Sequence, residues 1–203
     1  SDDRAAAFKQ FLSDENSELE LIHKVEGCAH VAGIAFEKGN YSEGDTWLRR
    51  CDELVSELNP GMKVRTLPAL SFLFDACLQQ MVAAPRETSE SPRIDLASRV
   101  LSKLTHFARV YPVGKPEKLR CKGDFYAITG EQRKAVELWR ESSRQAIKLN
   151  MVLAAYHAAD RLKRTDQGAG SKASEAAFAL SQSFTARSDV RDIVEHAVID
   201  GQQ

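Results

Sequence analysis

Apolar residues recur every three or four positions along nearly the whole chain, and the strict alternation of a half-buried strand is almost absent. A period near 3.6 puts such residues on one face of a helix, so the pattern implies amphipathic helices that must bury one side. The breaks carry helix punctuation. Ser17 and Glu20 have the spacing of a capping box, in which the serine accepts from the amide of Glu20 and the glutamate reaches back. The helix after it is expected to run through Leu21, Val25, Cys28, Ala32 and Ala35 to Lys38, where Gly39 supplies the left-handed residue that closes it. A second helix from Ser42 carries Trp47, Leu48, Cys51, Leu54, Val55 and Leu58 before Asn59, Pro60 and Gly61 stop it.

The rest follows the same rhythm. Pro68 suits the first turn of a helix bearing Leu70, Leu73, Phe74, Cys77, Leu78 and Met81. Residues 85–92 are polar with a proline at each end, the composition of a loop. Ile94, Ala97, Val100, Leu101, Leu104, Phe107 and Ala108 mark the next helix, which stops at Tyr111 and Pro112. Pro116 opens another through Leu119, Gly123, Tyr126 and Ala127 to Gly130; Ala135, Leu138, Trp139, Ser142, Ala146 and Leu149 stripe its successor. Helices are also expected over 151–163, 172–186 and 189–199, with a loop at 166–170. About ten helices with short connections make antiparallel neighbours. The fold expected is all-α, a single helical-repeat domain over 1–203 with a weak boundary near 85–92.

Composition narrows the function. No run is long and apolar enough for a membrane span, and the N-terminal residues lack the basic-then-apolar order of a signal peptide. The expectation is a cytoplasmic protein, or a fragment cut from a longer one, with no membrane partner. Cys28, Cys51, Cys77 and Cys121 stand far apart without ligand spacing, so no metal is expected and buried free thiols are the plain reading of the first three. Residues 1–60 hold 6 Lys and Arg against 13 Asp and Glu, whereas residues 61–150 hold 16 against 9. A two-signed chain suits contact between domains or subunits, homo-oligomers included, better than nucleic acid, which favours a net basic domain. The plainer reading is solvated helix faces, and it applies equally to the basic set Arg120, Lys122, Arg133, Lys134, Arg140, Arg144 and Lys148. The five histidines are scattered, and no phosphate-binding, nucleophile-elbow or zinc-protease motif is present. Neither catalysis nor a cofactor is expected.

Two stretches resemble tetratricopeptide repeats. In 116–150, Gly123, Tyr126, Gly130 and Ala135 keep the repeat's order of small, aromatic, turn glycine and small, with Trp139 where its second helix carries a large side chain. In 25–58, Ala32, Ala35, Gly39, Tyr41, Gly44 and Leu48 fit the same template. The segment 119–162 also resembles the C-terminal helical-repeat tail of signalling ATPases and class III nucleotidyl cyclases of the soluble adenylyl cyclase type, through Gly130, Ala135, Trp139 and the phrase from Ala146 to Met151. Those residues are packing residues, and no cyclase domain or P-loop accompanies them.

The resemblance implies antiparallel hairpins stacked as a short tetratricopeptide-like superhelix. It also implies a groove lined by the first helix of each pair: Glu26, Ala29, His30, Gly33, Phe36 and Glu37, then Glu117, Arg120, Cys121, Asp124, Ala127 and Ile128. The family's carboxylate clamp needs Lys and Asn there, but Gly33 and Asp124 stand at the Asn position, which argues against an acidic tail as partner. The function implied is a protein- or peptide-binding regulatory module of a larger signalling protein. The alternative is a peptide or small-molecule sensor that controls an attached output domain.

Overall fold

The computed structural model describes Lys9, Gln10, Leu12 and residues 20–58, 63–83 and 92–165. Within them lie seven main helices and no strand: α1 (Leu21–Glu37), α2 (Tyr41–Glu57), α3 (Thr66–Ala83), α4 (Pro92–Val110), α5 (Gly114–Ile128), α6 (Gln132–Lys148) and α7 (Val152–Thr165). The all-α class read from the periodicity is the class observed. Ser17, the stop at Asn59 to Gly61, the loop at 166–170 and the helices expected near 172–186 and 189–199 lie outside the described residues, as does the loop expected at 85–92 except Pro92, which is the first residue of α4.

Three connections use one device. After α1, α5 and α6 the chain turns at Gly39, Gly130 and Asn150, whose φ angles are +74°, +89° and +57°. The next amide then reaches back five residues: Asn40 to Ala35, Glu131 to Tyr126 and Met151 to Ala146, each at 2.8 Å. This Schellman pattern occupies carbonyls that the helix end would otherwise leave bare. The carbonyls of Asn40, Glu131 and Met151 in turn accept the first bond of the following helix, at 3.0, 3.1 and 3.0 Å. One residue thus ends one helix and caps the next, and the reversal takes three residues. The two glycines are the helix stops that the sequence pattern marks; Asn150 falls outside that pattern, and asparagine is the other residue that tolerates this conformation.

The start of α1 differs from the capping box. Glu20 is the N-cap itself, at φ −57° and ψ 141°, and makes no side-chain capping bond. Its carbonyl accepts from the amides of His23 and Lys24 at 2.9 and 3.2 Å. Its carboxylate turns to the guanidinium of Arg65 at the entrance of α3. That hydrogen bond holds the acid below its ordinary range. The carboxylate thus meets a cation 45 residues away in sequence and makes no capping bond to the backbone of α1.

The chain divides into two compact units: residues 1–114 with Ile128–Gly130, and residues 115–127 with 131–203. In the first, α1 packs on α2 and α3, and α3 packs on α2 and α4. Side-chain partners give the directions. Glu20 meets Arg65, His30 meets Phe72 and Glu37 meets Gln79, so α1 and α3 run parallel. Asp52 meets Arg99 and the Leu58 carbonyl meets Lys103, so α2 and α4 also run parallel. Gln80 near the end of α3 reaches Asp45 near the start of α2, which makes those two antiparallel. Val25, Cys28, Ala32, Leu48, Cys51, Val55, Leu70, Leu73, Phe74, Cys77, Val100, Leu104 and Phe107 form the buried interior. These are largely the stripes read from the sequence, and each large side chain contributes about 1.5–3 kcal/mol of burial. Ile94, placed on the α4 stripe, is exposed. Gly44 lies under the ring of Phe36, where a Cβ would overlap it.

In the second unit α5 and α6 are antiparallel: Ser142 Oγ donates to the Pro116 carbonyl at 2.7 Å, and Gly123 faces Ala135 and Trp139. A Cβ on Gly123 would come within 2.6 Å of Trp139 Nε1 and 3.2 Å of the Ala135 carbonyl oxygen. The small-against-large contact expected in 116–150 is therefore present. Ala146 packs with Ala155 and Ala159 across the α6–α7 turn. Leu149, expected on the α6 stripe, falls in that turn and is exposed.

Candidate interaction surface

The residues expected to line a groove have different fates. Phe36 is buried against Gly44. Arg120 and Asp124 are buried too, spent within the second unit. Arg120 is 2% exposed; its Nη1 donates to Asp124 Oδ2 at 2.7 Å and its Nη2 to Glu117 Oε1 at 2.6 Å. Nη2 also lies 3.4 Å from the Cys121 sulfur. The second oxygen of Asp124 accepts from Trp139 Nε1 at 2.8 Å and from Arg161 Nε at 3.4 Å. Glu117, Arg120 and Asp124 stand three and four apart, the spacing that stacks side chains on one helix face. A buried guanidinium is tolerable only with its donors engaged, and here two carboxylates engage them.

Glu26, His30 and Glu37 stay near solvent on α1, and α3 runs beside them. The His30 and Phe72 rings stack with centroids 4.0 Å apart, tilted by 44°. Gln79 Nε2 donates to Glu37 at 3.3 Å, and Gln79 Oε1 sits 3.2 Å from where a Cβ on Gly33 would lie. Gly33 thus lets Gln79 settle against the α1 backbone. Ile34 is 50% exposed and Phe72 38% exposed. The outcome is an apolar centre, Ile34 and Phe72, with Glu26 toward one end and Glu37 toward the other.

Ile34, Phe72 and Gln79 were not read as surface residues. A signal existed: Ile34 falls off the α1 stripe, and Phe72 falls off the stripe of Leu70, Leu73, Phe74 and Cys77. A large apolar residue out of register with its own helix faces away from its own core.

The four cysteines are free and buried. The Cys51 thiol meets Cys28 and lies 3.8 Å from the Val25 carbonyl. That contact lowers Cys28 and, with burial, raises Cys51; burial raises Cys77. Among the described residues no group of three His, Cys, Asp or Glu could hold a metal ion, and no helix is long and apolar enough to cross a membrane. Arg133, Lys134, Arg140, Arg144 and Lys148 are exposed on α6, with Lys134 paired to Glu131 and Arg144 to Glu141. Of the basic set, Arg120 alone is buried. Compared with protein-family models, curated proteins and solved structures, the chain finds no match.

Proposed function

We propose that the chain is a protein-interaction module built of tetratricopeptide-like hairpins and serving as a regulatory part of a larger signalling protein. The observation that carries this reading is the α1–α3 face, where Ile34 and Phe72 stay exposed between polar neighbours on two parallel helices. Apolar side chains held outward on a rigid pair of helices lose little conformational freedom on docking, so their burial converts efficiently into affinity. The hairpin reading draws support from the repeated three-residue reversal and from the alternation of helix direction in the first unit.

Site-specific photo-crosslinking in cells expressing the parent chain tests the reading. A crosslinking residue at position 34 or 72 is expected to give discrete adducts, whereas one at position 140 on the α6 surface gives none. Identical adduct patterns at all three positions would overturn it.

A further inference from the structure

The ionisable groups facing outward with Ile34 and Phe72 are His23, Glu26, His30 and Glu37 from α1 and the half-buried Asp75 from α3; Lys38 lies just past the end of α1. Arg65, at the far end, is taken by Glu20. Among the described residues the carboxylates on this face, Glu26, Glu37 and Asp75, therefore outnumber its one lysine, Lys38. Their placement is ordered: Glu26 and Glu37 are eleven residues apart on α1, about 16 Å along its axis, with the apolar pair between them. Glu26 has no bonded partner among the described residues, and Glu37 has only the long contact from Gln79. Among the described residues, these two outward carboxylates and Asp75 stand against one nearby lysine, Lys38, which leaves a net negative potential around the apolar centre.

We propose that this face takes a basic amphipathic segment of a partner protein, its apolar side chains over Ile34 and Phe72 and its lysines or arginines against Glu26 and Glu37. The inference rests on the docking reading above and names the chemistry of what docks. Apolar contact supplies most of the affinity, because the flanking ion pairs stay near solvent and contribute modestly. The carboxylates supply the choice: an acidic segment of equal hydrophobicity meets like charge at both ends and is rejected.

The test uses the full chain and two fluorescent helical peptides, one of leucine and lysine and one of leucine and glutamate with the same apolar face. The lysine peptide is expected to bind, more weakly as salt is raised, and the glutamate peptide to bind at least about tenfold more weakly. Glu26→Lys with Glu37→Lys should reverse the preference, and Phe72→Ala or Ile34→Ala should weaken the lysine peptide. These positions are at or near the surface, so unchanged helicity and melting should accompany every variant. Equal binding of both peptides, unmoved by the charge reversal but weakened by Phe72→Ala, would overturn the charge inference and leave the docking reading standing. Binding unmoved by Phe72→Ala and Ile34→Ala would overturn both.

Discussion

Trp139 donates its indole N–H to Asp124 Oδ1 at 2.8 Å, while the other oxygen of that carboxylate holds the buried Arg120. The large side chain that packs against Gly123 on α5 is therefore also a partner of the unit's buried charge. Trp139→Phe keeps most of the ring and removes the bond, and should cost about 1–3 kcal/mol. Trp139→Ala adds a cavity and should cost about 3–5 kcal/mol. Asp124→Ala strips a buried guanidinium of a bonded carboxylate and should cost about 3–5 kcal/mol. Urea melts measure all three, and a Trp139→Phe variant as stable as the parent would show that the bond contributes nothing.

Gly123 has no room for a side chain, since a Cβ there would meet the Trp139 ring and the Ala135 carbonyl. Gly123→Leu should destabilise the fold by about 1–3 kcal/mol or more through overpacking. Lys134→Ala and Arg144→Ala, at exposed positions of the same hairpin, should stay within about 0.5 kcal/mol of the parent. Equal, small effects in all three melts would mean that α5 and α6 do not meet as described.

Gly39 and Gly130 turn in open space, with nothing within 4 Å of an added Cβ, so substitution there strains only the backbone. Gly39→Ala and Gly130→Ala should each cost about 1–2 kcal/mol. Asn150→Gly should move stability by no more than about 0.5 kcal/mol, because asparagine already tolerates that conformation. Thermal melts rank the three, and a silent Gly130→Ala would show that the turn has another geometry.

Burial raises the Cys77 thiol, and the hydrogen bond between Cys51 and Cys28, together with burial, raises Cys51. Raising the pH from neutral toward mildly alkaline therefore does little to form either thiolate in the folded chain, although it would speed alkylation of a free thiol. Native labelling should be slow at both sites and follow unfolding, with the pH effect restored in denaturant. Rapid native alkylation at Cys77, read by peptide mass spectrometry, would contradict that packing.

Arg65 holds the Glu20 carboxyl below its ordinary range, so the pair's contribution is present above that range and lost as pH falls through the lowered value. Arg65→Ala should therefore differ slightly from the parent near neutral pH and match it in acid. The difference is small because both side chains are solvated. A difference that grows in acid would reverse the assignment.

The sequence alone determined the seven main helices of the described residues, most of their described ends and most of the buried set. Val25, Cys28, Leu73, Trp139 and Gly39 could be placed because periodicity and the need for positive φ are properties of a residue and its near neighbours. Only the tertiary structure decided what the outward side chains do. Arg120 and Asp124 read as groove residues by spacing, yet a glutamate one turn away, the Trp139 indole and Arg161 draw them into a buried network. Glu20 read as a local cap until Arg65 reached it. Ile34 and Phe72 became a surface because α3 lies parallel to α1, and that alignment comes from contacts some forty residues apart. A side chain's face is set by the turn it sits on; its partner is set by whichever helix packs there, and no local period encodes that choice.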